Sequence, residues 1–361
     1  MVPIYFVVFY VLICSVFIFI LLKILNDQSQ TLNSTEPVTN FSIVVAAKNE
    51  ERNLPKLISS LAKLNYPREN FEVIIVDDHS SDNTFFITEE LLFTFENFRI
   101  VKAANKKYEG KRGALNYGIS LSKYGNILIT DADCIPETNW LRRFNDKFIN
   151  EYDFIIGIAP FIQKKLLINN ISCYENFRST LLTIWTSFMG IPFTASARNL
   201  GFKKKSFEEI GRYENTTDTL SGDDDLLLRE AAKNKMKVGV LTSKDSFVYS
   251  ETKQTFKEYF IQRARHTQTS LHYSFKQILF LFGWHTFNIL FLFSPLLVFI
   301  NLIFILPFFV KLLVDLLFSI LFQDKLNYQF SLVETFYLQF FYEIFLIAHI
   351  FNAKFSRIKW K

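Results

Sequence analysis

Apolar residues are concentrated at the two ends of the chain, and between them short apolar runs alternate with mixed segments. Residues 3–22 include no charged side chain and are long enough to span a bilayer core as a helix. Because the segment lacks a basic start and a small-residue cleavage site, we predict an uncleaved anchor. Near the other end, apolar residues dominate 277–322 and 330–351. Polar and proline residues interrupt these two blocks: Pro295, Pro307, Lys311, Asp315, Glu334 and Glu343.

Basic residues beside the apolar blocks predict the side of the membrane that each segment occupies. Lys23 directly follows the first block, and four basic residues lie in the C-terminal tail: Lys354, Arg357, Lys359 and Lys361. Positive residues next to a span tend to stay in the cytoplasm, so we expect both the middle and the tail of the chain there. Two C-terminal spans satisfy this rule and three do not, so we predict two. The expected location is the cell (inner) membrane.

The middle of the chain alternates between strand-like and helix-like patterns. The strand-like runs are 42–47, 71–76, 98–102 and 126–130. Between the first two, apolar residues recur at helical spacing: Leu54, Leu57, Ile58, Leu61 and Leu64. This alternation predicts an α/β domain with a mostly parallel sheet and helices on both faces. Polar pairs at the strand ends, Asn49-Glu50, Asp77-Asp78 and Asp131-Ala132-Asp133, would then converge on one crevice.

Composition narrows the protein class. Half of the 361 residues are hydrophobic and 42 are Phe, which indicates membrane segments joined to a water-soluble body. The net charge of +5 is too small to argue for nucleic acid as a partner. The three cysteines are far apart and show neither zinc spacing nor a disulfide framework. No G-x-G-x-x-G follows the first strand, and the chain has no P-loop motif.

Three acidic motifs are candidates for chemistry. Asp131 and Asp133 could hold a hard divalent cation that grips a diphosphate, although two acids in a turn can also be merely solvated. Asp78 could accept hydrogen bonds from a nucleobase or ribose, while the residues after it could simply cap a helix. A helix dipole accounts for one or two acids at a helix start, but the run Asp223-Asp224-Asp225 has three. Like charges raise the pKa of one member of such a cluster, and a carboxylate tuned in this way can act as a general base.

Two basic motifs suit phosphate groups. Lys111 and Arg112 stand at a predicted helix start, where a phosphate would bind and where basic residues are otherwise mildly unfavourable. A solvated loop is the alternative. In Q-R-A-R-H, the side chains of Gln262, Arg263 and Arg265 could clamp a diphosphate or could form a basic helix face on anionic lipid.

Taken in order, the segments A-K-N-E, V-D-D, K-R-G-A-L-N, D-A-D, G-D-D-D and Q-R-A-R-H resemble an inverting glycosyltransferase of family 2 with the GT-A fold. Membrane-embedded members of that family include cellulose, chitin and hyaluronan synthases. The resemblance covers residues 41–266, and 199–212 is similar to the family's stretch before the base. It implies a nucleotide-sugar pocket lined by Ala47, Glu50, Asp78, Lys111, Asp131, Gln262 and Arg265.

The resemblance also implies roles for the acids and for the end of the last motif. Asp131 and Asp133 would hold Mg²⁺ or Mn²⁺. In the family's E-D-x-D-L pattern the second residue is the base, which corresponds here to Asp223; Gly222 replaces the usual Glu, and Asp224 is an alternative base. His266 replaces the Trp that stacks on the acceptor sugar in processive synthases. A histidine stacks on a sugar less well than a tryptophan, so this replacement argues against a long processive product.

The sequence thus predicts an anchor (1–25), a linker (26–40), a GT-A domain (41–275) and a C-terminal membrane region (276–361). The expected reaction is transfer of a sugar from a nucleotide-diphosphate sugar, with a UDP-sugar as first candidate, to a hydroxyl of a lipid-linked or polysaccharide acceptor. Membrane lipids are the other expected partners, and the catalytic domain is expected in the cytoplasm. Two alternatives stay open: a membrane-attached glycoside hydrolase, which also uses paired carboxylates, and an inactive scaffold with the same fold.

Overall fold

The computed structural model describes residues 2–26, 37–192, 194–219 and 221–355. The chain forms two compact units, here called the sheet unit and the helical unit. The described part of the sheet unit is 37–162 together with 186–251, apart from positions 193 and 220; that of the helical unit is 2–26, 163–185 and 252–355. Most of the predicted linker, and Arg357, Lys359 and Lys361 of the basic tail, lie outside the described residues.

The sheet unit contains nine described strands. They are β1 (Phe41–Ala47), β2 (Phe71–Asp77), β3 (Phe98–Lys102), β4 (Asn126–Asp131), β5 (Cys134–Pro136), β6 (Phe154–Gly157), β7 (Leu200–Lys203), β8 (Val238–Leu241) and β9 (Val248–Ser250). Seven form one sheet in the order β3-β2-β1-β4-β7-β6-β8, and β5 pairs with β9. Only β7 runs antiparallel to its neighbours in the large sheet, so the predicted mostly parallel α/β fold is confirmed.

Helices cover both faces of this sheet because its central strands are apolar on both sides. The helices of this unit are α2 (Leu54–Leu61), α3 (Thr84–Leu92), α4 (Gly110–Ser120), α5 (Trp140–Ile149), α7 (Lys204–Glu209) and α8 (Asp225–Lys233). Every residue of β1 is buried; Ile43 and Val45 join a core with α2 and α5, whereas Val44 and Ala46 join a core with α4 and α8. Such two-sided burial is typical of parallel strands.

The acidic segments predicted to converge do lie at one edge of the sheet. In the parallel ladders Ala47 pairs with Asp77, and Ala46 pairs with Asp131. β1 lies between β2 and β4, so the chain leaves all three strands side by side. Ligands in open parallel sheets bind beyond these carboxyl ends.

The helical unit contains α1 (Val2–Asn26), α9 (Phe256–Ser270), α10 (Phe275–Phe293), α11 (Ile305–Phe322), α12 (Leu332–Phe355) and most of α6 (Leu167–Phe188). Among the described residues, four segments are by length and composition candidates to cross a membrane: Pro3–Asn26, Phe275–Leu297, Leu302–Phe322 and Leu332–Lys354. Three of these are C-terminal, which corrects the prediction of two. An odd number of crossings also removes the argument that placed the basic tail and the middle of the chain on one side.

Paired charges explain why the polar residues do not break these helices. Lys311 Nζ lies 2.6 Å from Asp315 Oδ2 and 3.4 Å from Glu343 Oε1, and Arg178 of α6 also pairs with Asp315. The side chains of Lys311 and Glu343 are 0% exposed. Buried charges are tolerated in apolar surroundings when they are paired. The sequence pattern shows these charges along the chain but not their partners across the bundle.

Candidate active site

A half-buried lysine joins two acidic segments at the carboxyl end of the sheet. Lys111 is the second residue of α4, and its Nζ lies 2.7 Å from Asp131 Oδ1 and 2.8 Å from Asp223 Oδ2. Asp131 ends β4, and Asp223 belongs to the loop before α8. The side chain of Asp131 is 30% exposed and that of Asp223 is 13% exposed, so a ligand can reach both. Three predicted site residues are therefore brought together.

The charges in this cluster determine its protonation. Burial would raise the pKa of Asp223, but Lys111, aided by Arg112, outweighs burial and holds this pKa below its ordinary value. Burial would lower the pKa of Lys111, but Asp131 and Asp223 outweigh it and raise this pKa. Asp223 is therefore a carboxylate and Lys111 an ammonium at neutral pH. A carboxylate is the form that a general base requires.

The loop that carries Asp223 is fixed by Arg112. This arginine donates from Nη1 to the carbonyl oxygen of Thr219 (3.0 Å) and from Nη2 to that of Ser221 (2.8 Å). Gly222 follows with φ +85°, a conformation that glycine adopts without strain. The K-R pair thus has two functions: Lys111 reaches the acids, and Arg112 orients the loop. Sequence analysis missed the second function because the partners of Arg112 are backbone carbonyls.

The other two acids of the triplet hold a neighbouring segment. Asp224 caps α8 by accepting from Asp225 N (2.8 Å), and its second oxygen accepts from Ala197 N (2.8 Å). Asp225 accepts from Ala195 N (2.8 Å) and from Thr194 Oγ1 (3.0 Å). Burial first, and then the charge of Asp223, raise the pKa of Asp224. Both oxygens of Asp224 are thus engaged by the backbone, so Asp223 remains the better candidate for the base.

Three of the predicted nucleotide-binding residues, Ala47, Glu50 and Asp78, lie at or just after the ends of β1 and β2. Asp78 N donates to the carbonyl oxygen of Ala47 (2.7 Å), and the buried Asp78 carboxylate pairs with Lys106. Glu50 is buried and its Oε2 accepts from Asn53 Nδ2 (2.6 Å). His79 follows Asp78 with φ +57°, and its Nδ1 lies 3.3 Å from Asp78 Oδ1. The motifs did not indicate Lys106 as a neighbour of Asp78.

The Asp131-Ala132-Asp133 turn supplies two carboxylates for a metal ion. Asp131 is 30% exposed and Asp133 is half-buried, so both are accessible. In the described residues no cluster of three or more His, Cys, Asp or Glu side chains is placed to hold a metal. Mg²⁺ is commonly bound by one or two carboxylates with substrate phosphates and water completing the shell. The donor set therefore suits a hard cation that arrives with a diphosphate.

The last predicted motif belongs to α9 of the helical unit. Gln262, Arg265 and His266 all lie on this helix. Arg263 is half-buried and held in place: its Nε lies 2.6 Å from Glu175 Oε2 on α6, and Tyr259 donates to the same carboxylate. Burial would raise the pKa of Glu175, but Arg263 outweighs it and lowers this pKa. The structure thus brings Lys111, Asp131 and Asp223 together, and it assigns the Q-R-A-R-H residues to the other unit.

Sequence comparison shows what the middle of the chain is similar to. The profile of "Glycosyl transferase family 2" matches residues 42–211. Beta-monoglucosyldiacylglycerol synthase of Trichormus variabilis is 41% identical over 92 residues, which are 26% of this chain and 20% of that protein. Poly-beta-1,6-N-acetyl-D-glucosamine synthase of Staphylococcus epidermidis is 29% identical over 134 residues, 37% of this chain and 31% of that protein. The match thus covers about a fifth to a third of these two relatives.

Structural comparison agrees with the fold. The mannosyltransferase PcManGT from Pyrobaculum calidifontis, solved with GDP-Man and Mn²⁺, superimposes with a TM-score of 0.59 at 14% sequence identity. The superposition covers 99% of this chain and 97% of that structure. At this identity the likeness shows the architecture alone, and it agrees with a mostly parallel sheet accompanied by apolar helices.

Proposed function

We propose that the protein is a membrane-bound inverting glycosyltransferase, because the glycosyl transferase family 2 profile matches residues 42–211. It takes a sugar from a nucleotide-diphosphate sugar, with a UDP-sugar as the first candidate, and joins it to a hydroxyl of a lipid-linked or polysaccharide acceptor. The four candidate membrane spans support an acceptor that resides at the membrane. Lys23, after the first span, supports a cytoplasmic position for the catalytic unit.

The single observation that carries this proposal is the contact of Lys111 with Asp131 and Asp223. It supports a reaction centre that contains a base and a cation at the sheet edge where nucleotide ligands bind. Asp223 takes the proton of the acceptor hydroxyl while that oxygen attacks the anomeric carbon. Lys111 lies beside this acid, so that its charge is available to the departing diphosphate. Attack from the face opposite the diphosphate inverts the configuration in one displacement.

The nucleotide is proposed to bind along the ends of β1 and β2. Ala47 and Glu50 line the pocket, and Asp78 accepts hydrogen bonds from the base or ribose. The contact of Lys106 with the buried Asp78 carboxylate supports this assignment, because a carboxylate that accepts from a lysine can accept from a ligand donor in its place. Gln262 and Arg265 are proposed to contact the diphosphate, and His266 the acceptor.

Asp131 and Asp133 are proposed to hold Mg²⁺ or Mn²⁺. A divalent cation bound there supplies Lewis-acid stabilisation of the charge on a diphosphate. The protein's own contribution is to present two oxygen ligands from one turn, fixed by β4 and β5 on either side. The contact with Lys111 orients the Asp131 carboxylate.

Thermal stabilisation of the detergent-purified protein tests this function. A ligand that binds the folded state raises the melting temperature. At 100 times its dissociation constant it adds about 2.7 kcal/mol to the free energy of unfolding. We expect one UDP- or GDP-sugar to raise it, and the rise to need Mn²⁺ or Mg²⁺. A folded protein that responds to no donor in the panel contradicts the transferase and favours the hydrolase or the inactive scaffold.

A further inference from the structure

Arg198 is a cation of the sheet unit that the proposed reaction does not yet use. Its guanidinium is held from three sides: Nε donates to Ser196 Oγ (3.0 Å), Nη1 donates to Ser250 Oγ (2.7 Å), and the Phe161 ring lies 4.3 Å from Cζ. The side chain is half-buried. These contacts fix its orientation, and a fixed, planar guanidinium loses little entropy when it binds an anion.

The chain ties Arg198 to both sides of the Asp131-Ala132-Asp133 turn. Thr130, which precedes the turn, donates from Oγ1 to the carbonyl oxygen of Arg198 (2.8 Å). Ser250, which binds the guanidinium, pairs with Cys134 in the β5–β9 ladder, and Cys134 follows the turn. Arg198 is therefore positioned by the residues that flank the two acids.

Arg198 has no carboxylate partner within the described part of the chain. Among the residues that the structure describes, Arg198 forms no ion pair with Asp or Glu, although two acids lie in the adjacent turn. Its two hydrogen-bonding partners are hydroxyl groups, which orient the guanidinium without removing its charge. A half-buried, oriented and uncompensated arginine is suited to a phosphate group.

We propose that Arg198 binds a phosphate group of the donor's diphosphate, in addition to Lys111; this inference rests on the proposed function. During transfer the bond between the anomeric carbon and the β-phosphate oxygen breaks, and its electron pair stays on the diphosphate. The new bond forms between the anomeric carbon and the acceptor oxygen, whose proton passes to Asp223. Arg198 stabilises the negative charge that the diphosphate gains, as preorganised donors do in other transfer reactions.

Nucleotide binding separates this role from a structural one. We would titrate the wild-type protein and Arg198→Gln with UDP and with uridine, in the presence of Mn²⁺, and with GDP and guanosine if the wild type prefers them. Loss of a hydrogen bond to a charged group should weaken diphosphate binding by about 10- to 100-fold. Binding of the nucleoside should not change. Arg212→Gln is the matched control, since Arg212 is an exposed arginine of the same unit that pairs with Glu208.

Two outcomes would overturn the proposal. One is equal weakening of UDP and uridine, which assigns Arg198 to the shape of the pocket; the other is unchanged UDP binding. If the glutamine variant does not fold, Arg198→Lys replaces it. Lysine keeps the positive charge but lacks the paired donors of the guanidinium. We expect a smaller loss of affinity, again for UDP and not for uridine. A folded wild-type protein that binds neither diphosphate contradicts the proposed function itself, which distinguishes that failure from a failure of this inference.

Discussion

The ammonium of Lys111 lies 2.8 Å from the Asp223 carboxylate, and the same nitrogen lies 2.7 Å from Asp131. The proposed base and a proposed metal ligand therefore share one cation. The protonation of the proposed base therefore depends on Lys111, the residue that is expected to meet the diphosphate.

Replacing Lys111 with Met should change the pH dependence of transfer. Lys111 outweighs burial and holds the pKa of Asp223 below its ordinary value, so its removal leaves burial to raise that pKa. Since the base must be deprotonated, the acidic limb of the kcat/KM profile should move to higher pH. Loss of the cation should also lower kcat/KM by about 100-fold or more. Lys111→Arg should retain the wild-type limb, and an unshifted limb in the Met variant would show that Lys111 does not control the base.

Asp224 should be more important for stability than for chemistry. Its oxygens accept from the backbone N–H groups of Asp225 and Ala197, so Asp224→Ala leaves two donors unpaired. Loss of a helix cap and of a buried partner should cost about 1–3 kcal/mol of unfolding free energy. Denaturant unfolding measures this cost. Asp223→Asn should cost less, and the reverse ranking would argue that the two acids have exchanged roles.

The two acids should also oppose each other in the pH dependence of stability. The pKa of Asp223 is lowered in the folded state, so its contribution is present above the unfolded pKa and disappears as pH falls through the folded pKa. The pKa of Asp224 is raised, so its ionisation costs stability as pH rises through the range between its unfolded and folded values. Asp224→Asn should therefore remove a loss of stability on going from acid to neutral pH. Thermal melts across pH 3–7, a range chosen to span ordinary carboxyl pKa values, measure it.

Gly113 is predicted to be irreplaceable for steric reasons. A Cβ at this position would lie 1.9 Å from the carbonyl oxygen of Tyr108, which belongs to the backbone and cannot move without displacing the loop before α4. Gly113→Ala should destabilise the protein by about 2 kcal/mol or more, as overpacking does. Gly125→Ala is the control, because nothing lies within 4 Å of its added Cβ. Equal melting temperatures for the two variants would contradict this packing.

In the helical unit, Asp315 is predicted to be essential for the bundle. It pairs with both Arg178 and Lys311, so Asp315→Asn leaves two buried cations with Glu343 as their remaining acid. Breaking such a pair typically costs about 3–5 kcal/mol. Melting in detergent should detect it, with the exposed Leu313→Val on the same helix as control. A melting temperature equal to that of the control would mean that the charges are solvated and not paired.

Much of the sheet unit could be predicted because local patterns determine it. The apolar runs that became β1, β2 and β4 are buried on both faces, and strand ends carry the acids to one edge. The predicted order of strands and helices was therefore enough to expect that Asp131 lies near other site residues. The contact between Lys111 and Asp223 was not among these predictions, although Lys111 lies at the start of α4 and Asp223 lies just before α8.

What could not be predicted depends on partners that are distant in sequence. The pairing of Lys311 with Asp315 and Glu343 makes a third C-terminal span possible, but hydropathy shows only three isolated charges. The sequence predicted that Arg112 binds phosphate. Its partners in the structure are backbone carbonyl oxygens, which no sequence motif indicates. The distinction between Asp223 and Asp224 likewise required the position of Ala197, whose backbone N–H binds Asp224 and which belongs to none of the motifs.

The most direct test of the account is transfer by Asp223→Asn under donor-saturating conditions, compared with Asp224→Asn and with donor binding measured on the same samples. If Asp223 is the general base, its variant should bind the nucleotide sugar within a few-fold of wild type, yet lose transfer by about 100-fold or more. Asp224→Asn should retain most of the activity. Wild-type turnover by Asp223→Asn, or a loss confined to Asp224→Asn, would contradict the assignment of the base.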